Sequence, residues 1–179
     1  MKAKKLHAYL AALQRKYPAR LARRAVNLFI FQGIFLALLL GTTVLVCIVD
    51  RGGRLAFYLA LLCALSVLSA VALVFNQKGR YYISAWLTTI CMVLGPWGSI
   101  LLDPTVLAGD YLPLIYVGIS IQLCSILLSE RATLAIAAVQ LCAVVAAILL
   151  NPGLRAINWP SLVCFIVFTA TIGILAGFS

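Results

Sequence analysis

Few side chains in this chain of 179 residues carry chemistry beyond packing. Glu130, the only glutamate, stands beside Arg131 in "SILLSERATLAIA", Ser125 to Ala137. Gln122 lies eight positions before Glu130 and Gln140 ten after it. At 1.5 Å per helical residue the two amides lie roughly 12 and 15 Å from a turn at Glu130, at similar depth on adjacent antiparallel helices. Two chemistries suit them. Facing each other, they would form an interhelical hydrogen bond worth about 0.6–2 kcal/mol. With Tyr116, and with Trp97 at its mouth, they would instead line a cavity for an apolar small molecule, open to the outside. Gln122, Gln140, Tyr116 and Trp97 are therefore the candidate ligand-binding residues.

Other chemistries lack their residues. His7 is the only histidine and lies in the amino-terminal tail, which excludes two-histidine haem ligation and a histidine-rich metal site. Cys47, Cys63, Cys91, Cys124, Cys142 and Cys164 fall one per apolar run without a C-x-x-C pair, and are expected to pack as small buried hydrophobes. Asp50, Asp103 and Asp110 flank the runs, and no run carries an ionisable group at mid-depth. Ionisable groups within a bilayer are costly and kept for function, so proton pumping, voltage sensing and intramembrane proteolysis have nothing to work with. No catalytic residue, metal or cofactor is expected, and the region is not read as an enzyme.

The elements that must position these residues follow from composition. Apolar residues make up 65% of the chain, against roughly 45–50% in soluble domains. Charged residues make up 10%, against about 25%. Six apolar runs, near 26–49, 55–75, 81–102, 111–128, 132–150 and 159–178, each approach the ~20 residues that cross a hydrocarbon core of ~30 Å. They are continuous rather than alternating, which favours helices over a barrel. The expected fold is an all-α integral membrane protein: a six-helix bundle over 26–179, preceded by a basic segment over 1–25. The first run is too long for a cleaved signal and is followed by five more, so it is read as a retained helix.

Charge sets the orientation. With six spans, both termini share a side with the loops at Asn76–Arg80 and Ser129–Arg131. That side holds eleven of the fourteen Lys and Arg residues, and the other holds Arg51, Arg54 and Arg155 beside the three aspartates. The positive-inside rule makes the basic side, and both termini, cytoplasmic, so the expected location is a membrane crossed several times. Glu130 and Arg131 then lie in a tight cytoplasmic turn where both reach water. Ser129 is the expected N-cap of the fifth helix, and Glu130 in its first turn complements the helix dipole. Leu6, Leu10 and Leu13 recur at helical spacing among Lys and Arg, with Tyr9 and Tyr17 nearby, until Pro18. Such a segment lies on anionic lipid headgroups; nucleic acid is not the expected partner.

Two irregular stretches remain. "LGPWGS", Leu94 to Ser99, sets Pro96 between glycines, which either kinks the third helix beside the loop "LLDPTVLAGDYLP" or ends it. Trp97 and Trp159 suit the outer aromatic belt. The chain stops at "GILAGFS" without a cationic flank, from which the native polypeptide is expected to continue.

The stretch "LPLIYVGISIQLCSILLSERATLAIAAVQLCAVVAAILLNP", followed by "INWPSLVCFIVFTATIGILAGFS", resembles the multi-span amino-terminal input regions of bacterial sensor proteins. In those proteins the membrane bundle precedes PAS, histidine-kinase (two-component) or diguanylate-cyclase domains. A leucine-rich "SxLL" at Ser125–Leu128, a charged turn and an alanine-rich helix carry the resemblance. It implies a bacterial inner membrane and signal transduction: a ligand or a bilayer change repacks spans three to six, and the last helix shifts against the partner in a homodimer. A small transporter or channel subunit and a passive membrane scaffold are the alternatives.

Overall fold

The computed structural model describes Ala11, Tyr17 and residues 19–49, 55–102, 112–155 and 159–177. The expected basic segment over 1–25, apart from Ala11, Tyr17 and residues 19–25, and the loops holding Asp50, Asp103 and Asp110 lie outside the described residues. Among those described, the regular structure is helical and no strand occurs. In chain order the helices are α1 (Ala19–Val49), α2 (Leu55–Gln77), α3 (Tyr81–Leu102), α4 (Leu112–Leu127), α5 (Glu130–Leu150), the one-turn α6 (Pro152–Arg155) and α7 (Trp159–Gly177). A helix satisfies its backbone internally, which these long apolar stretches require in lipid.

Four stretches are long and apolar enough to cross a membrane: Leu21–Ile48, Ala56–Gln77, Tyr81–Leu101 and Glu130–Leu150. Pro113–Leu127 and Leu162–Ile172 are apolar but shorter. The outward surface is apolar too, with Leu38, Val67, Val139 and Phe168 all exposed. An apolar exterior of this kind is the mark of a chain embedded in lipid. α1 begins seven residues before the apolar run at Val26, taking in Arg20, Arg23 and Arg24. Arg23 and Arg24 are exposed there, and long cationic side chains can put their heads in water while their stems stay on an apolar surface.

Local signals explain the ends. The α2–α3 turn closes with Gly79 N–H donating to Asn76 O and Arg80 N–H to Phe75 O, both at 3.0 Å. These paired bonds require a left-handed residue, supplied by Gly79 at φ 83°. Between α4 and α5 only Leu128 and Ser129 intervene. Ser129 occupies the N-cap position as expected, although its side chain makes no capping bond. Its extended backbone carbonyl accepts from Thr133 N–H at 2.9 Å instead. Glu130 does lie in the first turn of α5, exposed. Pro96 does not end α3, which continues to Leu102. At the end of α5, Asn151 donates from its backbone (3.1 Å) and its side chain (2.8 Å) to Ala147 O.

The chain divides into two compact units, Met1–Cys91 and Met92–Ser179. In the first, buried residues recur three, four or seven positions apart: Ala25, Leu28, Gln32 and Leu39 on α1, Leu65, Ser69, Ala72 and Asn76 on α2, and Tyr81, Ser84 and Thr88 on α3. Leu39, Leu65 and Cys91 form its apolar cluster. The second is built on a larger apolar cluster that includes Ile100, Leu114, Val117, Ile121, Val144, Ile148 and Ile166. There α7 packs more extensively along α4 than along α5. Gly118 faces that contact: a Cβ built on it would meet Ile166, Phe165 and Thr169 at 3.7–3.8 Å, an ordinary distance. The cysteines depart from expectation, since Cys47, Cys63, Cys142 and Cys164 face outward and only Cys91 and Cys124 are buried. With lipid outside, an apolar thiol is tolerated equally well on either side of a helix.

Candidate functional site

The densest polar arrangement lies in the first unit, where α1, α2 and α3 meet. Asn76, one residue before the end of α2, is fully buried. Its Nδ2 donates to Ala25 O at 3.0 Å and to Gln32 Oε1 at 3.4 Å. Gln32, also fully buried on α1, donates from Nε2 to Ser84 Oγ and Thr88 Oγ1 on α3, each at 2.7 Å. Ser84 donates onward to Ala72 O on α2 at 2.7 Å, and Thr88 to Ser84 O at 2.9 Å. Each amide N–H and each hydroxyl proton of this chain therefore has an acceptor. That closure makes the network a clamp, because a buried polar group left without a partner in a low-dielectric interior is costly.

Tyr17 ties the entry of the chain to the same point. Its hydroxyl lies 2.7 Å from both Asn76 O and Asn76 Oδ1, two acceptors for one proton. Its ring meets Tyr81 edge-on at 6.5 Å, and Tyr81 meets Tyr82 at 5.6 Å. Burial first, and then the neighbouring Tyr81, push the Tyr17 phenol up from 10.0 to about 12, so it remains a neutral donor at physiological pH. Elsewhere on α2 and α3, the buried hydroxyl oxygens of Ser66, Ser69 and Thr89 have no hydrogen-bond partner among the described residues.

Of the four residues expected to line a ligand cavity, the two glutamines have different partners. Gln140 is 2% exposed and exchanges bonds with Ser120: Nε2 donates to Ser120 Oγ at 3.1 Å, and that hydroxyl lies 3.2 Å from Gln140 Oε1. Gln122 points to α7 instead, donating to Thr169 O at 3.5 Å, the outer limit of a hydrogen bond. The paired amides are thus two separate interhelical ties. Tyr116 is 59% exposed, on the outward surface of α4. Trp97 is half-buried against the apolar cluster of the second unit.

Sequence reasoning passed over Gln32, Asn76, Ser84 and Thr88. The signal was present: Ser84 and Thr88 are four apart, Gln32 interrupts the first apolar run, and Asn76 directly follows the second. In a chain this apolar, a buried amide marks a helix interface more reliably than periodicity does. Comparison with protein-family models, with curated proteins and with solved structures found no match.

Proposed function

We propose that this chain is a six-span module of a bacterial inner membrane, with both termini cytoplasmic, serving as the sensory input or anchoring part of a signalling protein. Four long apolar helices support the membrane reading. α7, with 19 residues, has the length of a span, and α4, with 16, completes the six if the bilayer thins locally around it, as it does for short spans. The basic segment over 1–25 rests on anionic headgroups. Its entry to the bundle is held by Tyr17 on Asn76.

The observation that carries the reading is the unequal bonding of the two units. The first is clamped by a closed, uncharged network, the behaviour of an anchor. In the second, α7 rests on α4 through Gly118, apolar packing and the long Gln122 bond. A helix held this way changes register at little cost, and an apolar ligand or a bilayer change that favours one packing biases it. In a homodimer that shift moves the cytoplasmic output.

The test is a fusion carrying a dimeric diguanylate-cyclase domain after Ser179. Gly118→Leu forces side-chain atoms into Ile166 and Phe165 of α7, and a several-fold change in output at matched membrane abundance is expected. Unchanged output would leave a passive anchor. Solute uptake by proteoliposomes containing the unfused chain would replace the reading with a transporter.

A further inference from the structure

One face of α2 carries an apolar groove of about 440 Å³ lined by Val67, Ala70, Val71, Val74, Phe75 and Lys78. Its valines are exposed, so the groove opens outward, away from the buried stripe of Ser69, Ala72 and Asn76. Five apolar residues lead to one cation, Lys78, exposed in the turn after α2. A second cation overhangs the same end, with the Arg80 guanidinium carbon 6.0 Å from the centre of the Phe75 ring. That position is built in by the turn, because Arg80 N–H bonds Phe75 O at 3.0 Å and Gly79 takes φ 83°. From Leu55 to Leu102 there is no Asp or Glu, so no carboxylate of α2 or α3 neutralises the pair.

We propose that this groove binds an anionic glycerophospholipid of the bilayer. One acyl chain lies along Val67 to Phe75, and the phosphate sits between Lys78 and Arg80. Length selects this occupant. Val67 to Lys78 spans eleven residues, about 16 Å of helix, which matches one leaflet of a hydrocarbon core of ~30 Å. Charge selects the headgroup, since each cation near an anionic lipid contributes about fivefold in affinity. The site rests on α2 crossing the membrane, and it is separate from the headgroup contacts of the basic tail.

Native mass spectrometry of the purified full chain, with phosphatidylglycerol and phosphatidylcholine as probes, tests it. Resistance to alkaline extraction is checked first, because failure there would remove the membrane reading itself. Phosphatidylglycerol is expected to be retained over phosphatidylcholine. Lys78→Gln and Arg80→Gln should each lower its retention about fivefold, while Lys78→Arg keeps it. Val71→Trp fills the groove and should lower retention with both cations intact. Equal retention of the two lipids would overturn the proposal, as would retention unaffected by either Gln variant. A photo-crosslinker at Val71 should capture lipid. Capture of a second copy would assign the groove to a dimer and also overturn it.

Discussion

The two units bury similar apolar stripes but are tied differently. In the first, Tyr17, Gln32, Asn76, Ser84 and Thr88 join three helices through a network whose donors are all used. In the second, the ties described between long helices are Ser120 with Gln140, Thr133 with Cys124 O at 3.3 Å, and Gln122 with Thr169 O, none of which shares a side chain with another. Apolar packing contributes little preference between helix registers in lipid, because the tails outside are as apolar as the side chains inside. Directional bonds decide which helices stay put. The difference teaches that a bundle can be rigid at one set of helices and compliant at another without any change in apolar composition.

The comparison breaks most easily at Asn76. Asn76→Leu removes its bonds to Tyr17, Ala25 and Gln32, and at about 0.6 kcal/mol per bond in a membrane the loss should reach about 2 kcal/mol. Unfolding in bicelles titrated with sodium dodecyl sulfate measures it, and a loss no larger than that of Gln122→Leu would erase the distinction between the units. Alkaline pH probes the same clamp at one atom. The folded Tyr17 phenol is raised from 10.0 to about 12. Its contribution is therefore complete below pH 10 and declines as pH rises through about 12. Tyr17→Phe should abolish that component of the alkaline loss in a pH series of the same unfolding assay.

Smaller effects sharpen the second unit. Gln140→Leu should cost about 0.6 kcal/mol, and a double-mutant cycle should show coupling between Gln140 and Ser120. Gln122→Leu should cost less, because its bond is long, and should be additive with Gln140→Leu. Coupling between the two glutamines in that cycle would contradict their separate partners. The smallest effect belongs to the turn: reversing Glu130 and Arg131 through Glu130→Lys and Arg131→Glu should change stability by about 0–1 kcal/mol, since both are exposed. A several-fold change in fusion output from that reversal, at matched abundance, would make the turn part of the signal path.

The helical class, the apolar stretches and the place of Glu130 in a first turn were legible in the residues, because each depends on local composition. The interior was not. Val139 is 69% exposed and Val144 fully buried on the same helix, yet nothing in their chemistry separates them. In a soluble bundle the outward residue would be polar and the face readable; lipid removes that contrast. Depth along α4 and α5 drew attention to Gln122 and Gln140, but depth is blind to rotation about the helix axis. Rotation sends one amide to Ser120 and the other to Thr169. The clamp escaped for a related reason: Gln32, Asn76 and Ser84 belong to three different helices, and only the packing of those helices unites them.

The central claim, a clamped first unit and a compliant second one, can be read from two native thiols that are equally buried, Cys91 in the first unit and Cys124 in the second. With each retained as the sole cysteine, the rate of labelling by a membrane-permeant maleimide in nanodiscs reports how often its unit opens. The account predicts that Cys124 is labelled faster, and that Asn76→Leu accelerates Cys91 while leaving Cys124 unchanged. Labelling of Cys91 as fast as Cys124, or a Cys91 rate indifferent to Asn76→Leu, would contradict it.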